Sequence, residues 1–190
     1  MIAPVDVTDI RIETDRLILR QWRDTDLQDL YEYASVPVVG EMAGWRHHES
    51  VGESHQILDM FIRHKKTFAL ELKETGKVIG SLGLEEPDPD PTTGEQFGRE
   101  IGYVLSRDYW GRGMMPEAVG AVVNFCFRTL DFDFLTCGHF LRNDRSRRVV
   151  EKSGFTYFGE SEYETRYDTV EISRNYILYN PYKCGNICLN

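Results

Sequence analysis

The stretch Tyr109-Trp110-Gly111-Arg112-Gly113-Met114-Met115-Pro116-Glu117-Ala118 constrains what this chain can fold into more than any other. An apolar strand candidate, Ile101 to Leu105, runs into it, and a long amphipathic helix runs out of it. Two glycines two residues apart permit a tight turn that exposes consecutive N–H groups. Pro116 suits the first turn of a helix, where its missing N–H is not needed. Strand, glycine turn and helix start together form an anion site, with several donors and the positive end of the helix dipole. A phosphorylated cofactor fits such a turn; the competing reading is a plain strand-to-helix connection. No Gly-Lys-Ser/Thr follows Gly113, so this is not a Walker loop, and Pro116 stands where a dinucleotide fingerprint has its third glycine.

After Pro116 the apolar positions Val119, Val122, Val123, Cys126, Phe127 and Leu130 trace one helix face. Upstream, Leu17 to Arg20 reads as the first strand. Thr25-Asp26-Leu27-Gln28 reads as a capping box opening a helix that Val36-Pro37 ends. Ser50-Val51-Gly52-Glu53 is a second box, whose helix turns Ile57, Leu58, Phe61 and Ile62 inward. Thr67 to Leu72 and Val78 to Leu84 flank the turn Glu74-Thr75-Gly76-Lys77 and predict a hairpin. Gly80 and Gly83 within it point to close backbone packing or a bulge. Glu85 to Gln96 is a proline-rich surface loop, and Gly98 to Leu105 feeds the glycine turn. Phe134 to Phe140 is a strand, Asn143 caps a helix to Lys152 that Gly154 closes, and a last hairpin turns around Asp168.

The order is β-α-α-β-β-β-α-β-α-β-β. It predicts an α/β (α+β) fold with a mixed, mostly antiparallel sheet and helices packed on it. A chain of 190 residues with no linker or repeat reads as one domain over 1–190, frayed at 1–9 and over the tail 183–190.

The net charge of −9 argues against nucleic acid as a partner and fits simple solubility or a cationic partner. No apolar run is long enough for a membrane span, residues 1–9 lack a signal pattern, and cytoplasm is the expected location. Cys126 and Cys137 read as core residues; Cys184 and Cys188 sit in the tail, where a disulfide has no support from spacing. Trp45, His47 and His48 lie in an irregular stretch, residues 38–50. Trp45 and His47 are candidates for a substrate pocket, against the alternative of a loop packed on the core. Adjacent histidines without an acidic or thiol partner make no metal site.

Two stretches together resemble a family. Glu100-Ile101-Gly102-Tyr103 followed by Tyr109 to Gly113 is similar to the acyl-CoA motif of GNAT-type N-acetyltransferases. Asn143-x-x-Ser146-x-x-Val149-x-Glu151-Lys152-x-Gly154-Phe155 resembles the second conserved segment of that superfamily. Thr14-Asp15-Arg16-Leu17-Ile18-Leu19-Arg20 resembles the opening of its ribosomal-protein (RimJ/RimL-type) branch. The similarity runs from about residue 13 to 180; Asp108 departs from it, standing where the family often has Gln or Arg.

The resemblance implies a GNAT-like fold whose sheet splays, with helices on both faces. It implies acetyl-CoA as co-substrate, no metal, and transfer of the acetyl group to a primary amine. Trp110, Gly111, Arg112, Gly113 and Met114 would hold the pyrophosphate, and Arg147 and Arg148 other phosphates. Tyr103, Val104 and Leu105 would pair with the pantetheine arm, and Asn143 and Ser146 would border the thiol. Ser146 would hydrogen-bond the departing thiolate, with Tyr103 as a second donor.

An alkylammonium has a pKa near ~10, so the amine must lose a proton before or during attack. Glu100 is the first candidate base; Glu162, Glu164 or water are alternatives, and the competing reading of Glu100 is a partner for Arg99 or a loop N–H. No cysteine stands at an acyl-enzyme position, which favours direct transfer. The acceptor is a protein N-terminal amine if the branch holds, or a polyamine, antibiotic or amino-acid derivative. A non-catalytic acyl-CoA-binding regulatory module, monomeric or homodimeric like the enzyme, is the reading from another class.

Overall fold

The computed structural model of the protein describes residues 4–91 and 97–183. Its elements are β1 (Arg11–Glu13), β2 (Leu17–Gln21), α1 (Leu27–Ala34), α2 (Val51–His64), β3 (Thr67–Leu72), β4 (Val78–Glu85), β5 (Gly98–Leu105), α3 (Met114–Arg128), β6 (Phe134–Phe140), α4 (Asp144–Lys152), β7 (Thr156–Glu164) and β8 (Val170–Tyr179). The described strands form one sheet in the order β1-β2-β3-β4-β5-β6-β8-β7. Every neighbouring pair is antiparallel except β5 with β6.

Period-2 alternation sorts side chains to two cores. Leu17, Leu19, Phe68 and Leu70 face α3, where they meet Met115, Val119, Val122 and Cys126. Ala69 and Val78 point the other way and join Trp22, Leu30, Tyr33 and Leu58 under α1 and α2. The sheet is therefore covered on both faces, as its apolar runs require. Among the described residues no helix is long and apolar enough to cross a membrane.

Two irregularities shape the centre. Ala69 pairs with Ser81 and Glu71 with Val78, so β4 carries one extra residue, a bulge. A Cβ on Gly80 would fall 2.3 Å from the Val104 carbonyl oxygen, so only glycine lets β4 and β5 close there. Beyond them, β5 and β6 pair only at Gly98–Phe134, Arg99–Leu135 and Glu100–Thr136. Past Glu100 they part, β5 staying with β4 and β6 with β8.

Several local expectations are corrected. The short strand β1 has no apolar pattern of its own and forms by pairing with β2. The Thr25–Gln28 box does not cap α1: a 3-10 turn over Asp24–Asp26 precedes it. Asp26 instead accepts from the Arg23 N–H at 2.8 Å and holds buried Arg20 through two hydrogen bonds of 2.8 and 2.9 Å. At α2, Ser50 Oγ accepts from the Glu53 N–H at 3.2 Å as expected, but Glu53 reaches back to Glu49 rather than Ser50. The N-terminal segment is anchored rather than frayed at Val7, which is fully buried and donates its N–H to the Lys65 carbonyl at 2.8 Å. Cys184, Cys188 and residues 92–96 of the expected loop lie outside the described residues.

Candidate active site

A cavity of about 550 Å³ opens where β5 and β6 part. One end is basic and rich in N–H groups. Gly111 and Gly113 adopt φ of +77° and +75°, values that glycine tolerates without strain. Among the described residues, no backbone carbonyl accepts from the N–H groups of Gly111, Arg112, Gly113, Met114 or Met115. They stand at the N-terminus of α3, where the helix dipole adds to them. Across the cavity, Arg145, Arg148 and Lys152 line the wall from α4. Their spacing of three and four puts them on one helix face. Arg148 stands where the sequence places it; Arg147, expected beside it, lies off the cavity and bonds Asp144 at 3.2 Å. The i, i+3, i+7 spacing was the available signal for Arg145 and Lys152. Arg145 also stacks on Trp110, 4.8 Å from the ring centroid. Arg112, expected at the pyrophosphate, does not line the cavity; its side chain packs on Tyr109 at 5.3 Å.

Alternation decides which groups β5 presents to the gap. The Ser106 N–H donates to the Ile79 carbonyl at 2.7 Å, toward β4. The main-chain groups of Ile101, Tyr103 and Leu105 therefore face the other way, toward the opening. Of the three residues expected to meet an extended arm, Tyr103 and Leu105 present backbone there, and Val104 turns its backbone to β4. The Leu105 carbonyl already accepts from Trp110 Nε1 at 2.8 Å.

The two faces of β5 differ in chemistry. On the α3–α4 side the Tyr103 hydroxyl lies 2.8 Å from Ser146 Oγ. Ser146 is freed from capping because Asn143 Oδ1 takes its N–H at 3.1 Å. Asn143 Nδ2 reaches the Met42 carbonyl at 3.2 Å and so ties α4 to the loop over residues 38–45. Burial, with the Cys137 thiol beside it, pushes the Tyr103 hydroxyl well above its ordinary pKa.

On the α1–α2 side stands Glu100, two residues from Gly102, where an added Cβ would meet nothing within 4 Å. Glu100 accepts from the Asp88 N–H at 3.1 Å, a loop N–H of the kind its competing reading invokes. Burial pushes its carboxyl up to about 7; the Asp88 N–H opposes this, and the charges of Asp88 and Glu85 reinforce it. Glu162 also lines the cavity and Glu164 does not.

Trp45, packed on the α1–α2 side, and Met42 also line the cavity. His47 does not reach it: its Nδ1 is 2.8 Å from Glu41 and holds the loop from outside. His48 is buried against Ser54 at 2.7 Å. His139, which carries no motif in the sequence, lines the cavity between the Phe140 carbonyl (2.9 Å) and the Tyr176 hydroxyl (3.2 Å). Among the described residues no cluster of three or more metal-ligating side chains converges.

A split parallel pair, an N–H turn at a helix start and a basic helix lining the same cavity form a cleft with one anion-binding end. The model of the acetyltransferase (GNAT) domain matches residues 16–156, and the chain belongs to that family. It is an acetyl-CoA-dependent acyltransferase. It is similar to the uncharacterized N-acetyltransferase YoaA of Bacillus subtilis (strain 168), 28% identical over 76% of this chain and 81% of YoaA. Among solved structures, a GNAT-family acetyltransferase from Bacillus anthracis superposes with a TM-score of 0.77 at 20% identity, over 90% of this chain and 99% of that one. The ribosomal-protein-S5-alanine acetyltransferase of Vibrio fischeri does so with 0.69 at 20% identity, over 91% and 98%.

Proposed function

We propose that the protein moves the acetyl group of acetyl-CoA directly to a primary amine, with a protein N-terminal amine as acceptor, in the cytoplasm. The observation that carries the transfer chemistry is the alternation of β5. It sets a carboxyl with a pKa of about 7 on one face of the sheet, beside open ground at Gly102, and the Tyr103–Ser146 hydroxyl pair on the other. A thioester lying in the gap between β5 and β6 has a base on one side and a hydrogen-bond donor on the other.

The N–H groups of Gly111 to Met115 hold the pyrophosphate, and Arg145, Arg148 and Lys152 neutralise the remaining phosphate charge. The outward backbone of Tyr103 and Leu105 accepts the pantetheine arm as an added strand, and a β5 N–H polarises the thioester carbonyl. Glu100 takes the proton from the ammonium, directly or through water, and the amine nitrogen bonds the acyl carbon. The C–S bond breaks as the nitrogen gives up its second proton; Ser146, backed by Tyr103, donates a proton to the departing sulfur and recovers one from that nitrogen, directly or through water. The products are an amide and a free thiol. The cavity lining contains neither Cys126 nor Cys137, and burial pushes both thiols far up, which supports direct transfer over an acyl-enzyme.

The acceptor class rests on the likeness of Thr14 to Arg20 to the RimJ/RimL-type opening. The name of the Vibrio fischeri enzyme, which specifies an alanine of a ribosomal protein, supports the same class. The test is free-thiol release from acetyl-CoA over a panel of peptides with free N-termini, polyamines and aminoglycosides. Peptide-dependent release is expected. Release only with small amines would overturn the acceptor class, and acetyl-CoA binding without release would mark a binding module.

A further inference from the structure

The opening segment Thr14 to Arg20 has no part in the mechanism above, yet two of its residues converge on the glycine turn from behind. Glu117, in the first turn of α3, accepts on Oε1 from the Thr14 hydroxyl at 2.5 Å and the Arg16 N–H at 2.9 Å. Its Oε2 accepts from Arg16 Nε at 2.7 Å and lies 2.6 Å from Nη2. Arg16 Nη1 donates to the Arg112 carbonyl at 2.8 Å, inside the turn itself. Arg16 thus grips both ends of the Gly111–Glu117 segment, while Glu117 stays off the cavity wall.

The grip has an electrostatic consequence. A carboxylate in the first turn of a helix is favourable by itself, but it competes there with a bound phosphate of the same sign. Glu117 is held below the ordinary carboxylate range because hydrogen bonds from Thr14 and Arg16 outweigh its burial, so it is charged at neutral pH. The Arg16 guanidinium pairs with that charge, and its Nη1 occupies the Arg112 carbonyl.

We propose that Arg16 is a positioning residue for the pyrophosphate of the acyl donor: through the Arg112 carbonyl and the Glu117 carboxylate it fixes the glycine turn and neutralises the carboxylate behind it. The proposal rests on reading the turn as the coenzyme A site.

The test compares two donors in the full chain. S-acetylpantetheine carries the thioester and amide arm but no phosphate. Arg16→Ala should lower kcat/KM for acetyl-CoA by tenfold or more beyond any loss with S-acetylpantetheine. Adding Glu117→Gln should recover part of that deficit, since it removes the uncancelled charge. Equal losses with both donors, or a double variant no better than the single, would overturn the proposal. If Arg16→Ala does not fold, Arg16→Lys decides in the same way: its ammonium lacks the planar fork that meets the Glu117 carboxylate and the Arg112 carbonyl from separate nitrogens, so a donor-selective loss is expected and an equal loss refutes. A parent that does not bind acetyl-CoA would instead refute the site.

Discussion

The Tyr103 hydroxyl, from the central strand, meets Ser146 Oγ, from the helix across the gap, at 2.8 Å. Either oxygen can donate to the other. Because Asn143 caps α4, the Ser146 hydroxyl is not needed for helix stability.

Ser146→Ala should therefore lower kcat by roughly 10²-fold with a much smaller change in acetyl-CoA affinity, since the interaction strengthens only as charge develops on sulfur. Tyr103→Phe should also lower kcat, and the double variant should fall little below the worse single, because the hydroxyls act as a unit. Steady-state kinetics with a calorimetric Kd checks both. Fully additive losses would separate the two roles, and an unimpaired Ser146→Ala would remove Ser146 from the chemistry.

Gly113→Val should weaken acetyl-CoA binding by tenfold or more in a folded protein. A Cβ there would meet only Arg16 Nη2, at 3.6 Å, so space is not the obstacle. The φ of +75° is: holding valine there costs of order 1–3 kcal/mol, and leaving it forces the N–H groups off their common target. Calorimetry giving parent-like affinity would contradict the assignment of the turn.

What the sequence made legible follows from the range of the signals. The glycine turn, the α3 stripe, the Ser50 cap and the Asn143 cap are local, and each stands where its residues indicate. Distant partners decide the rest. Asp26 carries a capping pattern, but Arg20 claims its carboxylate. Strand β1 exists only through β2. His47 looks free in sequence until Glu41 binds it, and the Tyr103–Ser146 pair joins residues from two elements that only the splay brings together. The alternation that sets Glu100 and Tyr103 on opposite faces was readable in principle; that the sheet opens past Glu100 was known only through family resemblance.

Trp45→Ala should raise KM for the amine several-fold and change KM for acetyl-CoA far less. Trp45 lines the cavity and packs on the α1–α2 side of the sheet, the side that carries Glu100. A Cβ on Gly40 would lie 2.3 Å from its ring, so the indole is closely seated, and the folded fraction should be checked by melting. Equal changes in both constants would make Trp45 a packing residue.

Glu100→Gln should stabilise the protein in a pH-dependent way. In the fold Glu100 titrates at about 7 against an ordinary 4.5. Between those values the folded state holds a proton that the unfolded chain has released, so stability from this group is full below about pH 4.5 and is lost as pH rises to about 7. Glutamine removes that loss. Chemical denaturation should find the variant more stable at about pH 8, by up to ~3 kcal/mol, and equal to the parent near pH 4. A difference independent of pH would show that Glu100 is not buried and raised as described.

The central claim is that Glu100 takes the proton of the attacking amine, and kcat/KM for the amine against pH, in parent and Glu100→Gln, tests it most directly. The parent should lose activity as pH falls through about 7, where Glu100 protonates. The variant should lack that inflection. Its deficit should be greatest near neutrality and shrink toward the amine's own pKa near ~10, where free amine needs no base. A Glu100→Gln enzyme with the parent's profile would contradict the claim and move the role to Glu162 or to ordered water.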